Sequence, residues 1–145
     1  GLGDVYKRQD GGLPTILGTL RQRIGPALQA AGIELDWQVE DVPAVSGLEA
    51  RGVMHLFRCL QEIFANVVKH SHARRVTVRT WVDGGKVCLS VCDDGVGLGH
   101  AAGDTWRGGG RGLGNIRLRA TEIGAVVSFT DATPGTCVTL RFESA

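Results

Sequence analysis

Residues 60–78 read LQEIFANVVKHSHARRVTV, and the spacing of the apolar residues changes part-way along. Leu60, Ile63, Phe64 and Val67 continue a stripe that starts at Leu56 and recurs every three or four residues, the period of one helix face. We therefore expect a helix over Leu48–Ser71 and a strand over Arg74–Trp81. The other face of that helix carries Glu62 and Asn66, four apart, with Arg58 one turn before and Lys69 and His70 one turn after. Asparagine is a mediocre residue in a helix interior. Its presence at 66 suggests that its side-chain oxygen has a task, such as holding a hydrated cation. Magnesium prefers oxygen ligands, keeps several waters and is commonly shared with phosphates. The plain alternative is a solvated face with a Glu-to-Lys or Glu-to-His pair.

On the N-terminal side, Ile16, Leu17, Leu20, Ile24, Ala27 and Leu28 give a helix over Leu13–Ala31, interrupted by Pro26 and stopped by Gly32. Ile33, Leu35, Trp37 and Val39 alternate with polar residues, as in a half-exposed strand. Val42–Gly47 reads as a linker. On the C-terminal side, Lys86–Cys92 reads as a strand joined to Arg74–Trp81 by the hairpin turn Val82-Asp83-Gly84-Gly85. Asp94–Gly110 has no usable period and is expected to be a loop. A helix over Leu113–Ile123 comes next, then strands over Ala125–Thr130 and Thr136–Phe142. The order α-β-α-β-β-loop-α-β-β predicts a two-layer α/β sandwich, with a mixed, mostly antiparallel five-stranded sheet packed on about three helices. Residues 10–145 read as one domain. The opening GLGDVYKRQ, residues 1–9, fits poorly with the rest of the chain and reads as an expression or sequence-assembly scar.

Composition excludes several classes. The chain has 145 residues, 43% hydrophobic, with a formal net charge of +1. It is neither a disordered tail nor a polybasic arm for nucleic acid. No apolar run approaches the roughly 20 residues of a membrane span, so no direct membrane contact is expected from this segment. The four cysteines, Cys59, Cys88, Cys92 and Cys137, have no CxxC or zinc-like spacing. Cys88 and Cys92 fall on one face of a strand. Buried, reduced thiols in a cytoplasmic protein are the expectation.

Two more polar clusters stand out. Asp93-Asp94-Gly95-Val96-Gly97 ends an apolar strand. An acid there can be held rigidly at a pocket mouth. An ionised carboxylate accepts hydrogen bonds without donating any, which suits an exocyclic amine such as that of adenine. A plain Asp-Gly turn is the alternative. The run GGGRGLGNIRLRA, residues 108–120, places five glycines within seven positions just ahead of a helix. Helix N-termini present free N–H groups and the positive end of the dipole, so phosphate can bind there. A P-loop is excluded, because Gly84-Gly85-Lys86 is followed by Val87.

E-x-x-x-N on a helix, D-x-G-x-G after a strand and G-x-G-L-G before a helix, in this order, resemble the ATP-binding domain shared by sensor histidine kinases, DNA gyrase, the Hsp90 chaperone and the MutL repair protein. The likeness is greatest to the histidine kinases paired with LuxR/NarL-type response regulators. LQEIFANVVKHSHARRVTV resembles their N box, DDGVGLG their G1 box and GGRGLGNIRLRATEIGA their G2 box. Together with AAGIELDWQVEDVP and PGTCVTLRF, the resemblance spans about Leu13–Phe142. It implies a Bergerat-type ATP-binding fold with ATP and Mg²⁺ as ligands. Asn66 would hold magnesium, and Glu62 would orient a water or the metal shell. Lys69 and His70 would lie near the phosphates. Asp93 would bond the adenine amine, with Gly95 and Gly97 shaping its pocket and Thr136 nearby. Leu98–Arg111 would form a lid, with Gly110, Arg111, Gly112, Leu113 and Gly114 at its hinge and phosphate contact. The catalytic set would be Glu62, Asn66 and Lys69. The implied partners are a dimerisation and histidine phosphoacceptor domain and a LuxR/NarL-type response regulator. None of His55, His70, His72 and His100 has the H-D or H-E context of an acceptor, so the acceptor is expected on another segment. A stand-alone anti-sigma-factor serine kinase and a degenerate docking module are the alternatives.

Overall fold

The computed structural model describes residues 12–46, 48–95, 111–132 and 134–144. The segment 1–9 lies outside them. The first helix, α1, covers Leu13–Ala30, and Pro26 lies inside it without dividing it. Strand β1 is Glu34–Gln38. The long helix α2 is Ala50–Asn66, shorter than expected, because Val67–Ser71 relaxes into a single π turn that ends at His72 in the left-handed region, φ 55°. Strands β2, Arg75–Asp83, and β3, Lys86–Asp93, form the expected hairpin around Gly84 and Gly85. Helix α3 is Arg111–Glu122, and β4, Val126–Asp131, and β5, Thr136–Glu143, close the chain.

The five strands form one sheet in the order β1-β2-β3-β5-β4. Only β1 and β2 are parallel; every other neighbouring pair is antiparallel. A parallel pair needs a long crossover, and α2 supplies it. The two-layer mixed sandwich expected from the sequence is the fold observed. Side chains alternate across a strand. Val76 and Val78 of β2, Val87, Leu89 and Val91 of β3, and Val138, Leu140 and Phe142 of β5 are buried together, under Leu56, Leu60 and Ile63 of α2 and Leu17 and Leu20 of α1. Thr80 is a buried polar residue on this face. Its hydroxyl accepts the Glu40 N–H and donates to the Glu40 carbonyl, both at 2.8 Å, tying the segment after β1 to β2. Ile116 and Ala120 bury one side of α3, and the Cys59 thiol of α2 lies 3.8 Å from the Ile116 carbonyl.

The expectation of four reduced cysteines is corrected. Cys59 and Cys88 are free and buried, but Cys92 and Cys137 are joined in a disulfide. The β3–β5 register sets them directly opposite one another, with Cα atoms 4.1 Å apart. That register is a tertiary fact, and a sequence separation of 45 residues gives no hint of it. A bridge closing a loop of that length stabilises a fold by on the order of 4 kcal/mol in the chain-entropy account.

The β4–β5 turn makes the tightest backbone approach. Gly135 has φ +108°, and a Cβ built there would fall 1.8 Å from the Asp93 carbonyl oxygen and 2.9 Å from the Asp94 Cα. Only glycine can occupy a left-handed φ against backbone at that distance. Gly135→Ala should therefore destabilise the domain by at least about 2 kcal/mol, read from the midpoint of urea unfolding. A midpoint equal to that of the parent protein would refute the close approach.

Candidate functional site

The same alternation that buries Val87, Leu89 and Val91 carries Asp93 to the core side at the end of β3. It also carries Thr136 to that side at the start of β5. The two residues are register partners, only 5% and 2% exposed. An acid is rarely buried so deeply without partners. Here the Gly95 N–H donates to Asp93 Oδ1 at 2.8 Å, and the Thr136 N–H also donates to this carboxylate. Burial nonetheless pushes the Asp93 carboxyl above its ordinary value. The donated N–H groups of Gly95 and Thr136 pull it part of the way back, and the neighbouring Asp94 charge adds to the rise.

Asp94 turns the other way and does a different job. Its Oδ1 accepts the N–H groups of Arg74 and Arg75 at 2.8 and 2.9 Å, and its own N–H donates to the Arg75 carbonyl at 3.2 Å. Desolvation acts to raise its pKa, but the N–H donors of Arg75 and Arg74 outweigh this and leave the group below the usual carboxylate range. Of the paired acids, one is buried facing the helix layer. The other fastens the start of β2 to the end of β3. That fastening matters because β2 begins just after the turn that follows α2. The Asn66 end of α2 is thereby linked to the Asp93 end of β3.

Asn66 ends α2, only 8% exposed, and its Nδ2 finds no hydrogen-bond partner among the described residues. A buried amide N–H without a partner is costly. An amide offers a donor at one end and an acceptor at the other. That combination suits a phosphate oxygen and a hard cation side by side. Glu62 is half-buried one turn earlier, and Lys69 is exposed in the π turn. Among the described residues there is no cluster of three or more His, Cys, Asp or Glu that could cage a metal. A magnesium ion here would need phosphate and water for most of its ligands.

Not every expected residue is brought into view. Gly95 is half-buried beside Asp93. Arg111, Gly112, Leu113 and Gly114 form the first turn of α3, with Gly114 exposed. Gly97, Gly110 and the remainder of Leu98–Gly110 lie outside the described residues, as do the side chains of His70, Arg111 and Leu113. Besides the disulfide, sequence reasoning missed the Asp94 clamp, the Gly135 approach and the π turn after Asn66. The doubled acid and the Pro134-Gly135 step were the available signals for the first two. The π turn had none, since Val67 continues the apolar stripe.

Comparison with known proteins agrees with this fold. The family model described as "Histidine kinase-, DNA gyrase B-, and HSP90-like ATPase" matches residues 52–145, so the chain belongs to that family. Among curated relatives, the sensor histidine kinase NarS of Mycobacterium tuberculosis is 34% identical over 130 residues, which is 86% of this chain and 29% of the relative. The sensor histidine kinase LiaS of Bacillus subtilis is 35% identical over 94 residues, 65% of this chain and 24% of that protein. The matched part of the chain thus spans only 24–29% of the length of these two relatives. Among solved structures, full-length ShkA in complex with AMPPNP superposes with a TM-score of 0.68 at 25% identity, over 90% of this chain and 30% of that one. This chain is therefore an ATPase-type domain of the kind that sensor histidine kinases carry.

Burial of Asp93 costs stability once the carboxyl is ionised. A carboxyl whose folded pKa is raised favours the folded state while protonated. That stability is present below its ordinary value of 3.8 and is lost as pH rises through the folded value. Asp93→Asn keeps an acceptor for the Gly95 N–H and removes the buried charge. We expect its thermal midpoint at pH 7 to equal or exceed that of the parent protein, with the advantage vanishing at pH 3. Its dissociation constant for ATP should rise by at least about tenfold. A variant that binds ATP as tightly as the parent protein would contradict the assignment of Asp93 to the base.

Proposed function

We propose that this chain is the ATP-binding catalytic domain of a two-component sensor histidine kinase. It positions Mg-ATP for phosphoryl transfer to a histidine on a separate dimerisation and phosphoacceptor domain. The observation that carries the reading is Asp93. It is a buried acid on the helix-facing side of the sheet, fixed by two backbone N–H groups, where an adenine amine would find an acceptor. The relatives' identities and the AMPPNP complex of ShkA support it.

Phosphoryl transfer asks a protein mainly to position groups and neutralise charge. Magnesium, when bound, neutralises the phosphate oxygens and aligns them. In this reading the Asn66 amide and the Glu62 carboxylate would hold it. The donor set fits: one buried amide whose N–H has no partner among the described residues and one half-buried carboxylate, both hard oxygen donors on successive turns. Lys69 and His70 would meet the phosphates from the π turn, with Arg107 or Arg111 adding charge. The first turn of α3, with Gly112, Leu113 and Gly114, would offer backbone N–H groups to the phosphates, as helix N-termini do, and Gly110 just ahead of it in sequence would belong to the same contact. Gly95 and Gly97 would leave room for the base, and Thr136 would complete the wall beside Asp93. The nucleophile comes from the partner domain, so the chain alone should bind ATP and turn it over poorly. The finer reading is a kinase serving a LuxR/NarL-type response regulator from the cytoplasmic side, and the N-box resemblance supports it. No helix among the described residues is long and apolar enough to cross a membrane.

Asn66→Ala separates the metal role from a structural one. Removing an unpaired buried amide should leave the thermal midpoint unchanged or higher. Phosphotransfer to a supplied acceptor domain should fall by at least about a hundredfold. Phosphotransfer at the parent rate would refute the role.

A further inference from the structure

We propose that Cys92 and Cys137 form a thiol–disulfide exchange site on the outward face of the sheet, and that its oxidation state sets the affinity of the pocket behind it for adenine nucleotide. The inference rests on the reading of Asp93 as the adenine acceptor.

Cys92 immediately precedes Asp93 and Cys137 immediately follows Thr136, so the bridge spans the rung beside the Asp93–Thr136 pair. That pair is the last rung of the β3–β5 ladder. A terminal rung opens more readily than an interior one, since no further rung of its ladder lies beyond it. A covalent tie one residue inward limits that opening. It also keeps the Thr136 N–H on the Asp93 carboxylate. Alternation sends the sulfurs to the opposite face from Asp93, so the bridge touches the nucleotide pocket through backbone alone.

Both bridged cysteines are half-buried, whereas Cys59 and Cys88 are buried. Burial also pushes the Cys59 thiol up to about 12, against the nearby Arg119 charge, so it holds almost no thiolate at neutral pH. Exchange chemistry is thus confined to the bridged pair. In a reducing compartment, a disulfide of this kind serves as a sensor or catalyst more often than as a permanent staple.

The chemistry balances with a dithiol reductant. Its thiolate attacks one sulfur of the bridge and forms a mixed disulfide, releasing the other cysteine as a thiolate that takes up a proton. The second thiol of the reductant then displaces the remaining cysteine and leaves as the reductant's own disulfide. The protein gains two electrons and two protons. A low-molecular-weight disulfide of the glutathione type reverses the sequence. Linkage requires that if oxidation tightens nucleotide binding, nucleotide stabilises the oxidised form by the same factor.

The test uses the whole chain, equilibrated in glutathione buffers of fixed ratio, trapped with an alkylating agent and read by mass spectrometry, with and without saturating ATP. A fluorescent ATP analogue gives the dissociation constant of each redox form. We expect reduction to weaken binding about fivefold, at the low end of known couplings. ATP should then move the midpoint about 21 mV more negative, the same factor converted at ~29.6 mV per tenfold. The double variant Cys92→Ser/Cys137→Ser should bind like the reduced protein and ignore the buffer. Should it fold poorly, the dithiothreitol-reduced parent protein supplies the same comparison, and Cys88→Ser should keep the full response. Equal affinities of the two redox forms would overturn the inference and leave the adenine site standing. A bridge that forms at no glutathione ratio would overturn it too. Absence of analogue binding in both states would overturn it together with the adenine reading.

Discussion

A strand that packs on helices must put every second residue inside, and the whole site depends on that constraint. In β3 it drives Val87, Leu89 and Val91 into the core. It then delivers Asp93 to the same side, at the edge of that core, where an ionised group is expensive. The sheet cannot release the acid without turning its apolar neighbours outward, since a slip of one residue reverses every side chain. The fold thus holds a carboxylate in place by packing energy and uses backbone N–H groups from Gly95 and Thr136 to make it tolerable.

Around that acid, the neighbouring features serve position. Asp94 faces away and grips the N–H groups of Arg74 and Arg75, so the end of β3 and the start of β2 move as one. Gly135 lets the β4–β5 turn settle onto the Asp93 backbone. The π turn of Val67–Ser71 lets α2 stop with Asn66 buried and still deliver the chain to β2. Two groups, the Asp93 carboxylate and the Asn66 amide, are each worse placed for stability than an apolar residue would be. Sites that violate local rules in this way are expected where function is. In the proposed reading, a nucleotide with a donor at its base and acceptors at its phosphates would answer both.

Much of this was legible in the sequence, because it rests on periodicity. The switch from a helical stripe at Leu56–Val67 to a strand at Arg74 located α2 and β2, and the Gly84-Gly85 turn located their hairpin partner. Asn66 stood out as a mediocre residue in a helix interior, and Asp93 as an acid at the end of an apolar strand. What the sequence hid was tertiary. The pairing of Cys92 with Cys137 depends on the β3–β5 register, and the task of Asp94 depends on which backbone it meets. The early stop of α2 depends on the turn to β2, while Val67 and Val68 prolong the helical pattern. Family resemblance supplied the chemistry; the structure supplied the reasons for residue placement.

The most direct measurement is a titration of the chain with a fluorescent ATP analogue, with and without Mg²⁺, followed by competition with ATP and with GTP. Adenine presents an amine donor where guanine presents a carbonyl acceptor, and a fixed carboxylate distinguishes the two. The account predicts saturable, Mg²⁺-strengthened binding that ATP displaces and GTP does not. Displacement by both nucleotides alike, or no binding at all, would contradict it.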